Sequence, residues 1–182
     1  GRKTTINNSE TKQLSMLNGT GVPVRKRYVV DGQALYYRNA QHPGSPVKDT
    51  VQVYYQFKNE ERAGLGMPMP AGVVRVYQAD SKGGTQFVGE DRIAHTPKDE
   101  ELNLKIGNAF DVTGEYRQVD QRRISDKEVE SSHEIKIRNH KTEAITVKVV
   151  EHAYGDWRVT TSSPDYVKKD AQTLEWTVTI PA

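Results

Sequence analysis

No cysteine occurs among the 182 residues, which excludes disulfides, thiolate metal sites and cysteine nucleophiles and leaves the compartment open between reducing and oxidising. Long apolar runs are missing as well. None approaches the roughly 20 residues of a membrane helix, so no membrane span is expected. The start, Gly1-Arg2-Lys3-Thr4-Thr5, lacks the apolar stretch of a signal peptide. Nor is one sign of charge in excess: 26 Lys and Arg stand against 24 Asp and Glu, a net of +2. Without a basic surplus nothing concentrates the chain on a polyanion, and nucleic acid is not an expected partner. Leucine is scarce, with 7 against 20 Val, 8 Ile and 15 Thr. Side chains branched at Cβ suit a pleated surface better than a helix, so the composition points to strands.

What is present alternates. Val51, Val53, Tyr55 and Phe57 fall on one parity, and Gln52, Tyr54, Gln56 and Lys58 on the other, which is the period of a half-buried strand. Val22, Val24, Tyr28 and Val30 also share a parity, and Asp31-Gly32 offers a tight turn into a hairpin partner over Ala34 to Tyr37. Further strands are expected around Val73 to Tyr77, Phe87 to Ile93 and Leu102 to Ile106. A long hairpin is expected from Tyr116 to Ile124 and Val129 to Arg138 about Ser125-Asp126-Lys127, followed by strands over Ile145 to Glu151, Trp157 to Thr161 and Leu174 to Ile180. Closely spaced strands without a helical pattern between them predict an all-β, antiparallel β-sandwich. The expected organisation is a flexible N-terminal tail over residues 1–20, a first β unit over 21–107 and an immunoglobulin-like β unit over 108–182, divided near Gly107.

Gly64-Leu65-Gly66-Met67-Pro68-Met69-Pro70-Ala71-Gly72 is the most distinctive segment. Its glycines invite a phosphate-loop reading, but Met69 stands where a third glycine belongs, and two prolines delete the N–H donors such a loop needs. A rigid structural connector is the better expectation. A faint internal echo links Tyr55-Gln56-Phe57-Lys58-Asn59 to Ile135-Lys136-Ile137-Arg138-Asn139. Convergence suffices to explain it, because asparagine often ends strands.

The histidines, at 42, 95, 133, 140 and 152, are not spaced to put two imidazoles on one face, so neither a metal site nor a cofactor is expected. His133 shares the inward parity of Ile135 and Ile137 and reads as a hydrogen-bonded structural histidine. Two polar clusters remain as candidate sites: Asp91 with His95, and Glu151, His152 and Asp156 beside Trp157. Acid/base chemistry would need a carboxylate and an imidazole within hydrogen-bond reach, whereas strand neighbours point to opposite faces. No Gly-x-Ser-x-Gly elbow places a nucleophile, so no residue is assigned as catalytic. Among the aromatics, Trp176 shares parity with Leu174, Val178 and Ile180 and reads as core, while Tyr54 lies on a polar face and is a candidate contact residue.

Several segments recur in order in one family: Phe57-Lys58-Asn59, Gly64 to Gly72, Val74-Arg75-Val76-Tyr77, Gly89-Glu90-Asp91-Arg92-Ile93, His95-Thr96-Pro97-Lys98, Gly107-Asn108-Ala109-Phe110-Asp111, Ile137-Arg138-Asn139-His140-Lys141, Val150-Glu151-His152 and Tyr154-Gly155-Asp156-Trp157. On these, the chain from about Val22 onward resembles the C-terminal domain of unknown function of bacterial mucoidy inhibitor A-like proteins. The resemblance implies a β-rich domain of the bacterial cell envelope or periplasm with no catalytic residues to carry over. It departs at Met67 and Met69, where such sequences are more often aliphatic, and at Pro181-Ala182, where relatives continue into a further strand. A missing final strand would leave an open edge beside Leu174 to Ile180, suited to pairing with another chain.

The functional expectation is therefore a non-catalytic module contacting protein or glycan. Two alternatives stand beside it: a hydrolase acting on envelope polymers through one of the two polar clusters, and a purely structural spacer.

Overall fold

The alternating segments become strands in the computed structural model, which describes residues 8–9, 15–32, 44–81 and 83–182. The strands are β1 (Arg25–Asp31), β2 (Val47–Asp49), β3 (Val51–Lys58), β4 (Gly72–Ala79), β5 (Thr85–Ile93), β6 (Glu101–Asn108), β7 (Val112–Arg123), β8 (Val129–Asn139), β9 (Ile145–His152), β10 (Val167–Lys168) and β11 (Thr173–Ile180). A single 3-10 turn, Glu61–Ala63, is the only helical element among the described residues. They form a six-stranded sheet in the order β10-β11-β9-β1-β3-β6, a three-stranded sheet β2-β7-β8 and a two-stranded arm β4-β5. The all-β sandwich expected from the alternation is what the chain adopts.

Its core lies between the two larger sheets. Tyr28, Val30, Val51, Val53, Ile145, Val147 and Val149 from the six-stranded sheet meet Val112 from β7, and Ile135, Ile137, Trp176, Val178 and Ile180 pack around them. Each fully buried valine contributes on the order of 1.5–3 kcal/mol relative to exposure, so this small cluster is the main apolar contribution to stability. The opposite parity carries polar partners on the outer face: Arg27 donates to Gln56 (3.0 Å), Gln56 to Glu101 (2.6 Å), and Lys148 pairs with Glu175 (3.1 Å).

Other expectations meet the structure less directly. The six-stranded sheet draws β1, β3 and β6 from before Gly107 and β9, β10 and β11 from after it, so no division of the sheets falls at that residue. Not every pair is antiparallel, since β1 runs parallel to β9 with Tyr28 opposite Val147. β1 already has β3 and β9 as its neighbours; the hairpin partner expected over 34–37 lies outside the described residues, as do His42 and most of the expected tail. Of that tail, residues 15–20 are exposed and irregular. Finally, Trp157 to Thr161 forms no strand. Both edges of β9 are taken, by β1 and β11, so the chain leaving β9 has no edge to return along and pairs only later, as β10 on β11.

The Gly64–Gly72 connector is organised by Asn59, which is fully buried. Its amide donates to the carbonyls of Met67 and Pro97 (2.8 Å each) and its oxygen accepts from Gly66 N–H (3.0 Å). Gly66 sits at φ 89°, and a Cβ there would meet the Glu61 nitrogen at 2.7 Å, so both backbone and space require glycine. Between the prolines, Met69 exchanges two backbone hydrogen bonds with Thr96. Asn139 repeats the device: its amide donates to Glu143 and Pro181 carbonyls and its oxygen accepts from Lys141 N–H. The two echoing segments thus end in the same clamp.

The β4–β5 arm lies along the outer edge of β6. A Cβ on Gly89 would meet the Ile106 carbonyl oxygen at 2.5 Å, so glycine permits the close approach, and the Asp91 carboxylate accepts the Lys105 N–H (2.7 Å). A side chain from β5 thereby satisfies a backbone donor of the sheet edge.

Candidate functional site

Strand order brings several polar ends together. β1 ends at Asp31 between the end of β9 and the start of β3, with Val30 opposite Val51 and Asp31 opposite Val150. β6 ends beside β3, with Asn108 opposite Gln52. The result is a cleft of about 410 Å³ lined by Asp31, Gly32, Asp49, Thr50, Gln52, Lys105, Asn108 and His152. Among the described residues, no large apolar side chain lines it.

Within it His152 Nε2 lies 3.0 Å from Asp31 Oδ1. Asp49 Oδ1 accepts the Thr50 N–H (2.8 Å), while its Oδ2 is inaccessible and has no hydrogen-bond partner among the described residues. Burial pushes the Asp49 carboxyl above the usual carboxylate range; the Thr50 N–H opposes this, and the nearby Asp31 charge adds to it. Tyr54 stands two residues beyond Gln52 on the same face of β3, and its hydroxyl donates to Gln52 Oε1 (2.9 Å). Its phenol is also pushed up, by burial and then by the charges of Asp31 and Asp91. These carboxylates give this end of the sheet a negative field, with Lys105 as the lysine of the lining.

Of the residues expected from sequence, His152 lines this cleft and Tyr54 adjoins it. The others are elsewhere. Glu151 points to the opposite face, as strand alternation requires, and is 2% exposed. Its carboxylate lies against Gly32, where any Cβ would collide with it. Asp156 is exposed in the loop after β9. Trp157 is held by its indole N–H on the Ala171 carbonyl (2.9 Å) and by Lys168 Nζ, 4.2 Å from the ring centre. The cluster of Glu151, His152 and Asp156 therefore does not assemble. Asp91 is engaged by the Arg92 and Lys105 N–H groups, and His95 Nδ1 accepts from Ala71 N–H (3.3 Å), so neither turns toward the other as an acid/base pair.

His133 has the structural role its parity suggested. Nδ1 bonds the Tyr116 hydroxyl, Nε2 lies 2.8 Å from Ser131 Oγ, and burial lowers its pKa. His140 is exposed. Among the described residues no group of three or more His, Asp or Glu is placed to hold a metal ion.

Sequence reasoning missed Asp31, Asp49, Gln52, Lys105 and Asn108 as site residues. Asp31 reads locally as a turn residue and Asn108 as a strand terminator. The one available signal was parity, which put Gln52 beside Tyr54 on an outer face. No protein-family model, curated protein or solved structure matches the chain.

Proposed function

We propose that the protein is a non-catalytic binding module of the bacterial cell envelope that contacts glycans through the cleft at Asp31, Gln52 and Asn108. The observation carrying this reading is the lining itself: carboxylates, side-chain amides, a hydroxyl, an ammonium and an imidazole around about 410 Å³. Pockets for apolar small molecules are lined mainly by hydrophobic side chains. A lining of fixed planar donors and acceptors instead matches a ligand rich in hydroxyls, which can donate to carboxylates and accept from amide N–H groups. Tyr54 beside the cleft supplies a ring face of the kind that packs on a sugar. The envelope setting rests on the resemblance to mucoidy inhibitor A-like proteins. The immunoglobulin-like reading of residues 108–182 rests instead on the strand alternation there, and is supported by the β7–β8 and β9–β11 pairs sharing one core.

A hydrolytic reading has one observation in its favour, the Asp31–His152 contact at 3.0 Å. Its test is turnover. An array of bacterial envelope glycans, followed by titration calorimetry of the best binder, is expected to show binding that weakens at least about tenfold in Asp31→Asn and in Asn108→Ala, without product formation. Product release abolished by His152→Gln would replace the proposal with the hydrolytic reading. Absence of any glycan binding, with capture of a protein partner that depends on Asp31, would overturn it in favour of protein contact.

A further inference from the structure

Asparagine and aspartate are self-reactive when a glycine follows, because the glycine nitrogen can close a succinimide ring onto the side-chain carbonyl carbon and no Cβ stands in the way. The chain has one step of each kind, Asn18-Gly19 and Asp31-Gly32. The fold treats them oppositely. At Asp31-Gly32 both reacting groups are occupied: Gly32 is buried, its N–H donates to the Val150 carbonyl (2.7 Å), and the Asp31 carboxylate lies 3.0 Å from His152 Nε2. Three asparagines at strand ends are restrained in the same way. The N–H that follows Asn59 donates to the Lys58 carbonyl (3.0 Å), the one after Asn108 to Val51 (2.8 Å) and the one after Asn139 to Asp111 (2.8 Å). Asn59 and Asn139 also commit their amide nitrogens to two carbonyls each. Attack at any of these steps must first break a hydrogen bond.

Asn18-Gly19 has no such restraint. Both residues are exposed in an irregular segment, and no backbone-to-backbone hydrogen bond among the described residues takes the Gly19 N–H. Two contacts nevertheless hold the step in place. The Ser15 hydroxyl donates to Asn18 Oδ1 (2.8 Å), with the Leu17 carbonyl at 3.5 Å too far to compete. Gly19 lies so close to Leu65 that a Cβ would meet Leu65 Cδ2 at 2.7 Å. A donor on the amide oxygen draws electron density from Cγ and stands where negative charge develops as the nitrogen attacks.

We propose that Asn18-Gly19 is a self-modification site of the folded protein, at which Asn18 converts to aspartate and isoaspartate through a succinimide, with the Ser15 hydroxyl donating to the oxyanion. The Gly19 nitrogen, its proton taken by hydroxide, forms a bond to Asn18 Cγ while the carbonyl electron pair moves onto Oδ1. That pair then returns, the Cγ–Nδ2 bond breaks, and the nitrogen leaves as ammonia after taking a proton from water. Water opens the ring at either carbonyl, so asparagine and water give an acid and ammonia, with no oxidant or reductant consumed. The new carboxylate lowers the net charge of +2 by one. The isoaspartyl form also adds a carbon to the main chain before Gly19, which shifts Gly19 off Leu65.

The folded chain is incubated at mildly alkaline pH, separated by ion exchange and mapped by peptide, with isoaspartate detected by a protein isoaspartyl methyltransferase. Conversion at Asn18 is expected to run at least about tenfold faster than at Asn59, Asn139 or Asp31. Ser15→Ala should slow it about twofold or more, far less than loss of a buried oxyanion donor, because water competes at an exposed site. Asn18→Ser should remove the acidic form. In urea, which releases the Gly32 N–H, the lead of Asn18 over Asp31 should narrow. No conversion at Asn18, an unchanged rate in Ser15→Ala, an Asn18→Ser chain that acidifies as fast, or a lead over Asp31 that urea leaves unaltered would overturn the inference.

Discussion

Replacing Asn59 by alanine removes three hydrogen bonds at once, to Met67, Pro97 and Gly66. At about 1 kcal/mol net for each, the loss is about 3 kcal/mol, a large part of the roughly 5–15 kcal/mol that holds a domain folded. In a chain of this size that lowers Tm by roughly 6–12 °C. Asn59→Asp sharpens the argument because it preserves shape. The carboxylate still accepts from Gly66 N–H but faces two carbonyl oxygens in a site with 0% exposure, so at neutral pH it should be worse than alanine. Such burial raises the folded pKa of the introduced acid above its unfolded value near 3.9, so the Asn59→Asp variant should regain stability as pH falls through the folded pKa. Urea unfolding of both variants at pH 7 and pH 5, with Asn139→Ala as the matched clamp in a less buried setting, measures this. If Asn59→Ala loses no more than Asn139→Ala, or Asn59→Asp is no worse than Asn59→Ala at pH 7, the clamp does not organise the connector and the reasoning fails.

Gly89→Ala should force the β4–β5 arm off β6, since its Cβ would meet Ile106 atoms at 2.5 and 2.8 Å; a loss of about 1–3 kcal/mol and faster amide exchange at Lys105 are expected, and unchanged exchange there would contradict the packing described. Burial lowers the His133 pKa from its ordinary 6.5, so the unfolded chain takes up this proton first and stability is lost as pH falls below about 6.5. His133→Gln should flatten that decline between pH 7 and pH 5 in thermal unfolding, and an identical slope would show that this imidazole does not contribute.

Much of the fold was legible because its signals are local. The alternation from Val51 to Lys58 gave the correct inward face, and the turn at Ser125-Asp126-Lys127 gave the β7–β8 hairpin. Trp176 was placed correctly by parity with Leu174 and Val178. Trp157 to Thr161 alternates as convincingly, yet forms no strand, because strand formation also needs a free edge and β9 has none. Asn59 read as an ordinary strand terminator; that its amide reaches Pro97, 38 residues on, is invisible without the chain crossing that brings them together. His152 was named for its sequence neighbours Glu151 and Asp156, whereas its structural neighbour is Asp31, 121 residues away.

The sequence by itself determined an all-β chain, the faces of most strands and a connector without the donors of a phosphate loop, since side-chain branching, period-two burial and proline chemistry act within a few residues. Tertiary structure alone decided that β1 lies between β3 and β9, parallel to one and antiparallel to the other. Pairing between distant strands is a competition among all available edges, settled by which arrangement buries the valine faces together. The polar cleft at Asp31 is a consequence of that competition: it lies where paired strands end.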